Sequence, residues 1–382
     1  GDVPQVQYHE PSGKFKGNPA MIFLTGLQRL VLGKDARVYG LTIGRGNGEE
    51  GSNTALGANA LASGGGTSVT AVGAGAFNKG NGDFNTAVGA SAASVLVGNY
   101  NTAIGSSSME GKSATNSTSV GAGAGLGGSN NTTVGYESGK TTAKDNTSIG
   151  SESLSTNSGE SNTAIGRYAL SSNSGKANIA LGVETLKSNS GSYNIAIGHK
   201  AMLDNLDGNY NVASGYLALS NNTSGSNNIS IGSSSLYSNT SGVSNIADGS
   251  ETLYSNTSGS YNSARGYKAL RSNISGIHNY ASGYKALYSN TEGNYNIAEG
   301  YEALYLNTEG EYNTASGYKV LYSNTTGDYN SALGYKSLYS NSTGEYNIAV
   351  GYEALYSNTT GDNNLALGFH ALYSNTTGYD NI

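Results

Sequence analysis

The chain has no Cys, no Trp and only 3 Pro in 382 residues. Without Cys it has neither a disulfide framework nor thiolate metal ligands. Long apolar runs are missing as well: the strongest, such as Ala20-Met21-Ile22-Phe23-Leu24, is far too short to span a membrane. With 20 Lys and Arg against 26 Asp and Glu, scattered rather than clustered, there is no basic stripe for nucleic acid. Hydrophobic residues other than Gly make up 36%, much of it Ala, so no large core of Leu, Ile, Val and Phe is available. Low hydrophobicity with abundant Gly, Ser and Asn is also a signature of disorder. Two features oppose that reading: the net charge is only −6, and the Tyr and Leu recur at fixed intervals.

What is present is a repeat. A Gly closes each Asn-x-Ala-x-Gly-like segment, from Gly44 and Gly57 through Gly317, Gly334, Gly351 and Gly368. Early spacings run from 13 to 16, and from Gly198 to Gly368 every spacing is 17. Positions are numbered below from this anchor Gly as 0. Asn occupies −4 (Asn313, Asn330, Asn347, Asn364), Leu +4 (Leu304, Leu321, Leu338, Leu355), a second Asn +7 and a second Gly +10. A period this short cannot hold two helices. It suits one turn of an all-β parallel solenoid, with two short strands and two corners per turn and about 20 turns in all. Asn-Thr-Thr-Gly is corner chemistry, with Gly available for positive φ. Asn, Ala and Gly at −4, −2 and 0 share the inward face; position −1, which holds Asp248, Arg265, Glu299, Leu333 and Val350, faces outward. Stacked about 4.7–4.9 Å apart, the Leu make an apolar spine and the Asn bond amide to amide, over roughly 95 Å of shaft.

Segments such as Asn85-Thr86-Ala87-Val88-Gly89 and Asn162-Thr163-Ala164-Ile165-Gly166 resemble the head repeats of trimeric autotransporter adhesins. The Ala-Leu-Tyr-Ser-Asn-Thr-Thr-Gly version resembles repeats in virion structural proteins of marine tailed phages, those of cyanobacteria especially. The resemblance covers residues 40–382. It implies a left-handed β-roll packed side by side as a homotrimer. The 17-residue turns are longer than the usual autotransporter head repeat, which favours a phage fibre over a bacterial adhesin. A trimer also has a physical motive: a roll lined mostly with Ala and Gly buries little apolar area per turn, at about 25 cal/mol per Å², and packing through a Leu or Tyr face would raise it.

Three segments follow. Residues 1–37 hold all the Pro (Pro4, Pro11, Pro19) and bulky Phe15, Met21, Phe23 and Leu24, and read as a cap over the open end of the solenoid or a docking segment for a virion. Arg29-Leu30-Val31-Leu32 and Arg37-Val38-Tyr39-Gly40 read as short strands leading into the first turn. Residues 38–198 form the roll of 13–16-residue turns and residues 199–382 the roll of 17-residue turns. The final Asn381-Ile382 matches the start of another repeat, an expectation of a longer product with a distal tip that meets a host glycan or protein.

Chemistry is sparse. His9, His199, His278 and His370 occupy unrelated repeat positions and read as solvated surface residues, not a catalytic or metal cluster. Gly44-Arg45-Gly46-Asn47-Gly48 lacks the following helix that phosphate binding needs. Glu311, Asp328, Glu345 and Asp362 share one position, where stacked carboxylates offer a weak Ca²⁺ candidate against the alternative of exposed corner tips. Tyr forms three columns: +1 (Tyr301, Tyr318, Tyr335, Tyr352), +5 (Tyr305, Tyr322, Tyr339, Tyr356) and −5 (Tyr295, Tyr312, Tyr329, Tyr346). Such columns serve glycan stacking or a trimer interface. Sequons such as Asn324-Thr325-Thr326 read as corners. The Thr are read as corner residues, which sets ice binding aside. No cofactor, catalytic residue or membrane span is expected. The reading is a structural fibre on the virion that contributes to host attachment; the alternatives are a bacterial surface adhesin and, more distantly, a solenoid polysaccharide depolymerase.

Overall fold

The computed structural model describes residues 21–24, 29–32, 36–38, 41–46, 52–111, 113–125, 127–140 and 142–382, the first three stretches as backbone alone. The readings made for Pro4, His9, Pro11, Phe15 and Pro19 lie outside the described residues. Among the described residues every regular element is a β-strand and none is a helix. The chain forms two compact units, Gly1–Glu152 and Ser153–Ile382, each a β-solenoid.

In the first unit Met21–Leu24 pairs antiparallel with Arg29–Leu32. Ala36–Val38 then pairs antiparallel with Leu41–Gly44, and that strand lies antiparallel along Thr54–Ala58. From Thr54–Ala58 onward the order becomes parallel, through Thr70–Val72, Thr86–Val88, Thr102–Ile104, Thr118–Val120, Thr132–Val134 and Thr147–Ile149. Gly44 is therefore not the anchor of a solenoid turn: it sits opposite Ala55 in the antiparallel strand. That strand covers the backbone edge of the first rung, which would otherwise be left open for pairing.

The second unit stacks thirteen three-residue rungs, Thr163–Ile165 to Leu365–Leu367. Each pairs in parallel with the next at a shift of one repeat, as in Ala332↔Ala349 and Ala349↔Ala366. Strand alternation puts Ala349 inside and Ile348 and Val350 outside. The interior is assembled from Ala at −2 and +3, Leu at +4 and Asn at −4 and +7, nearly all fully buried. Each Leu so placed contributes about 1.5–3 kcal/mol by leaving water.

The Leu column has a backbone conformation that its residue type does not announce. Leu304, Leu321, Leu338 and Leu355 have φ of 49–51°, in the left-handed region. Among the described residues, every non-Gly residue with positive φ falls at −5, +2 or +4, with values between 46° and 61°. The second Gly, expected to supply positive φ, does not: Gly327 has an ordinary φ and is required by space, since a Cβ there would meet the Gly344 carbonyl at 2.4 Å and Asn324 Oδ1 at 2.6 Å. The anchor Gly needs both. Gly334 has φ 131°, and its Cβ would meet the Gly351 carbonyl at 2.4 Å.

The expectation of two strands per turn is met only in the shorter turns and in the first 17-residue turn, Gly198 to Gly215. Thr156–Asn157, Ser172–Asn173, Ser188–Asn189 and Asp204–Asn205 form a second parallel sheet. In the later 17-residue turns the corner is tighter. The N–H groups of Thr291, Glu292 and Gly293 all converge on the Thr308 carbonyl, at 2.9, 3.1 and 3.3 Å, and no second strand forms there.

Candidate interaction faces

Two polar ladders run inside the second unit. At +7 each Asn Nδ2 donates to Oδ1 of the Asn one turn earlier, as in Asn324 to Asn307, Asn341 to Asn324 and Asn358 to Asn341, at 2.8–2.9 Å. The same Nδ2 also donates to the second-Gly carbonyl of its own turn, Asn341 to Gly344 at 2.9 Å. At −4 the Asn Oδ1 accepts the backbone N–H of the next Asn, at 3.0 Å for Asn313, Asn330, Asn347 and Asn364, while Nδ2 reaches the next second-Gly carbonyl. The amide-to-amide ladder expected from sequence is present, and the −4 column adds a bond to the main chain. Aligned chains of this kind polarise one another.

The acidic column has a structural task. The residue after the second Gly points its N–H at the next turn, where a short acceptor caps it: Asp328 Oδ1 for Glu311 at 2.7 Å and Asp362 Oδ1 for Glu345 at 2.8 Å. Asn and Ser do the same elsewhere, as Asn294 does for Ile277 and Ser260 for Val243. Among the described residues no group of three or more His, Asp or Glu is arranged to hold a metal ion. His199 and His278 stand in the aromatic stacks, against Tyr216 and between Tyr261 and Tyr295. His370 contacts Glu353 at 3.1 Å.

The three Tyr columns are stacks. Centroids lie 4.9–5.2 Å apart along +1 (Tyr284 to Tyr352) and 5.1–5.2 Å along +5 (Tyr288 to Tyr373), with planes within 12° of parallel. The −5 stack, Tyr295-Tyr312-Tyr329-Tyr346, is tighter: 4.9 Å and 2–5° throughout. Each inner ring is covered on both faces by its neighbours, so the columns present ring edges and hydroxyls outward. A sugar ring laid on an exposed aromatic face, one of the two uses expected of these columns, has no such face along the stacks.

Between +1 and +5 runs the +2 column of Lys and Glu. The ammonium groups of Lys285, Lys319 and Lys336 lie 5.1–5.8 Å from ring centroids of both stacks. Its hydrogen bond to the Glu302 carboxylate, 3.1 Å away, holds the Lys319 ammonium above its ordinary range. Burial, reinforced by the Glu302 charge, pushes the Tyr301 phenol up.

The outward strand face, at −3 and −1, is apolar where the second unit begins. Ile179, Ile195, Ile197, Ile229, Ile231 and Ile246 are 37–45% exposed there. In the first unit the −3 column is Thr54, Thr70, Thr86, Thr102, Thr118, Thr132 and Thr147, each in register with the next. These Thr stand in strands, not in corners, which removes the reason given above for setting aside a regular Thr face. The Leu column, by contrast, is wholly interior, so it cannot be the face through which chains pack. It also gives each chain a better core than Ala and Gly alone would supply.

The corner sheet bounds an open groove of about 280 Å³ lined by Thr156, Ser158, Ser172, Ser174, Ser188 and Ser190, with Asn173 and Asn189 in its floor and Leu206 at one end; its lining carries no titratable side chain. Among the described residues no helix is long and apolar enough to cross a membrane. No family model matches the chain, and no curated protein matches it.

Proposed function

We propose that the chain is the shaft of a structural fibre on a tailed-phage virion, three copies packed side by side, holding a host-contacting part away from the particle. The observation that carries this reading is the stripe of half-exposed Ile at −3 and −1, a contiguous apolar face of the kind that marks a protein interface. In-register parallel stacking supports it, because aligned solenoids can repeat one contact at every turn. The interior supports it too: two bonded Asn ladders and a Leu spine suit a rigid spacer, and neither offers a reacting group.

The test is immunogold electron microscopy with antibody to the purified chain, on the phage particles and on the cells of the culture carrying the gene. Label on projections from virions is the expected result. Label on the cell envelope instead would replace the fibre by a surface adhesin, and label on neither would refute both.

A further inference from the structure

The −5 stack of tyrosines is placed for a covalent reaction. Tyr295, Tyr312, Tyr329 and Tyr346 form an unbroken series with centroids 4.9 Å apart and planes 2–5° from parallel. They are 43–52% exposed, more open than most of the +1 column and than the half-buried +5 column. The chain has no Cys or Trp to intercept an oxidant, and Met109 and Met202 are buried. Phenols are thus the abundant exposed groups that can give up an electron.

The three stacks differ in the charge beside them. Ammonium groups of Lys285, Lys319 and Lys336, interleaved with the carboxylates of Glu302 and Glu353, lie over the +1 and +5 rings, and a cation there opposes loss of an electron. Three of the four tyrosines of the −5 stack instead follow a carboxylate in the chain, Glu311-Tyr312, Asp328-Tyr329 and Glu345-Tyr346, and the fourth, Tyr295, follows Asn294. Burial first, then the neighbouring Tyr312 and Tyr346 and the negative charges of Asp328 and Glu311, push the Tyr329 phenol up. Carboxylates favour a ring that is losing an electron.

We propose that the −5 stack is a site of oxidative tyrosine coupling, at which a one-electron oxidant joins successive turns by dityrosine bonds. Two adjacent phenols each give one electron to the oxidant and one proton to a base. The two phenoxyl radicals form one carbon–carbon bond between their ortho carbons. The ortho hydrogens then move to the oxygens and restore both aromatic rings. The net loss is two electrons and two protons per bond, and two equivalents of oxidant are reduced. The link joins residues 17 apart and staples one turn to the next. It is formed within one chain and does not depend on the fibre reading.

The test uses the full chain with photoexcited ruthenium tris-bipyridine and persulfate as the oxidant. The readouts are dityrosine fluorescence, peptide mapping of the linked pairs and a denaturing gel. Expected are Tyr295–Tyr312, Tyr312–Tyr329 and Tyr329–Tyr346 links, each several-fold more abundant than links in the +1 and +5 stacks, carried by the single-chain band and lost when oxidation is done in denaturant. The double variant Tyr312→Phe, Tyr346→Phe keeps the rings and removes every adjacent phenol pair, so links in this stack should vanish while circular dichroism stays unchanged. The proposal is overturned if links favour the Lys-flanked stacks, if they appear only in multi-chain bands, or if the folded and denatured chains give the same pairs.

Discussion

Leu338 sits at φ 49°, where the Cβ of an L-residue crowds the following carbonyl. A second branch on Cβ makes this worse, which explains why the +4 column contains Leu, Met202, Met109, Phe77, Ala93 and Gly125 but never Val, Ile or Thr. Leu338→Val should therefore cost about 2–3 kcal/mol, combining lost volume with left-handed strain, whereas Leu338→Met should cost less than about 1.5 kcal/mol. Urea denaturation of the two variants checks this, and equal losses would contradict it. Ser337 offers the opposite sign. Its hydroxyl is fully enclosed at a position where other turns carry Ala303 or Ala354, and among the described residues it finds no hydrogen-bond partner. Ser337→Ala should raise stability by about 1 kcal/mol by the same assay. The left-handed columns were legible as an absence, the missing β-branched residues at −5, +2 and +4 in a chain otherwise rich in Thr and Ile. The abundant Gly mask that signal, because Gly is the usual carrier of positive φ.

The ladder is the unit of cohesion at the next scale. Asn313 accepts the Asn330 N–H and donates to the Gly327 carbonyl, which also accepts from Asn324, so Asn313→Ala strands one interior group, the Asn330 N–H. A loss of about 1–3 kcal/mol is expected in denaturant titration. Asn313→Asp keeps the acceptor but sets a buried carboxylate against that carbonyl. Burial raises its folded pKa above the unfolded one, so the variant should recover stability as pH falls through the raised value, with the recovery complete once pH is below the ordinary Asp value of about 3.9. A deficit independent of pH would show that the carbonyl contact does not matter. The aromatic stacks titrate at the other end of the scale. The phenols of Tyr301, Tyr322 and Tyr329 are pushed up, chiefly by burial. A raised folded pKa means that stability is intact below the ordinary tyrosine value of about 10 and is lost as pH climbs through the folded one. The urea midpoint should be level through neutral pH and fall above that value; a rise there would be inconsistent with the stacks. Both Asn ladders, the Leu spine and the Tyr columns could be read from spacing, since identical residues at a fixed period must superpose in a solenoid. The fate of the second strand could not: a corner of the same 17-residue length pairs at Asp204–Asn205 and curls at Thr291–Gly293, where three N–H groups share a carbonyl. Nor could the acidic column be told from a metal site, since capping by Asp328 and Asp362 needs the coordinates of the previous turn.

At the scale of the whole molecule, function rests on the faces that the ladders leave outside. Sequence spacing placed −1 outward correctly, but it assigned packing between chains to a Leu or Tyr face. The Leu are used up inside each chain and the Tyr faces are used up against one another, which leaves the Ile stripe as the apolar surface to be covered. Ile229→Asp with Ile231→Asp adds charge to that stripe without touching the interior, because both side chains point out around buried Ser230. The doubly substituted chain should fold with unchanged circular dichroism and remain single. The measurement that bears most directly on the account is sedimentation equilibrium of the unsubstituted chain across a range of concentrations. A species of three times the 39.0 kDa chain mass, abolished by the Ile substitutions, is the predicted result. A 39.0 kDa monomer at every concentration would contradict it, leaving the stripe without its partner and the shaft a single solenoid.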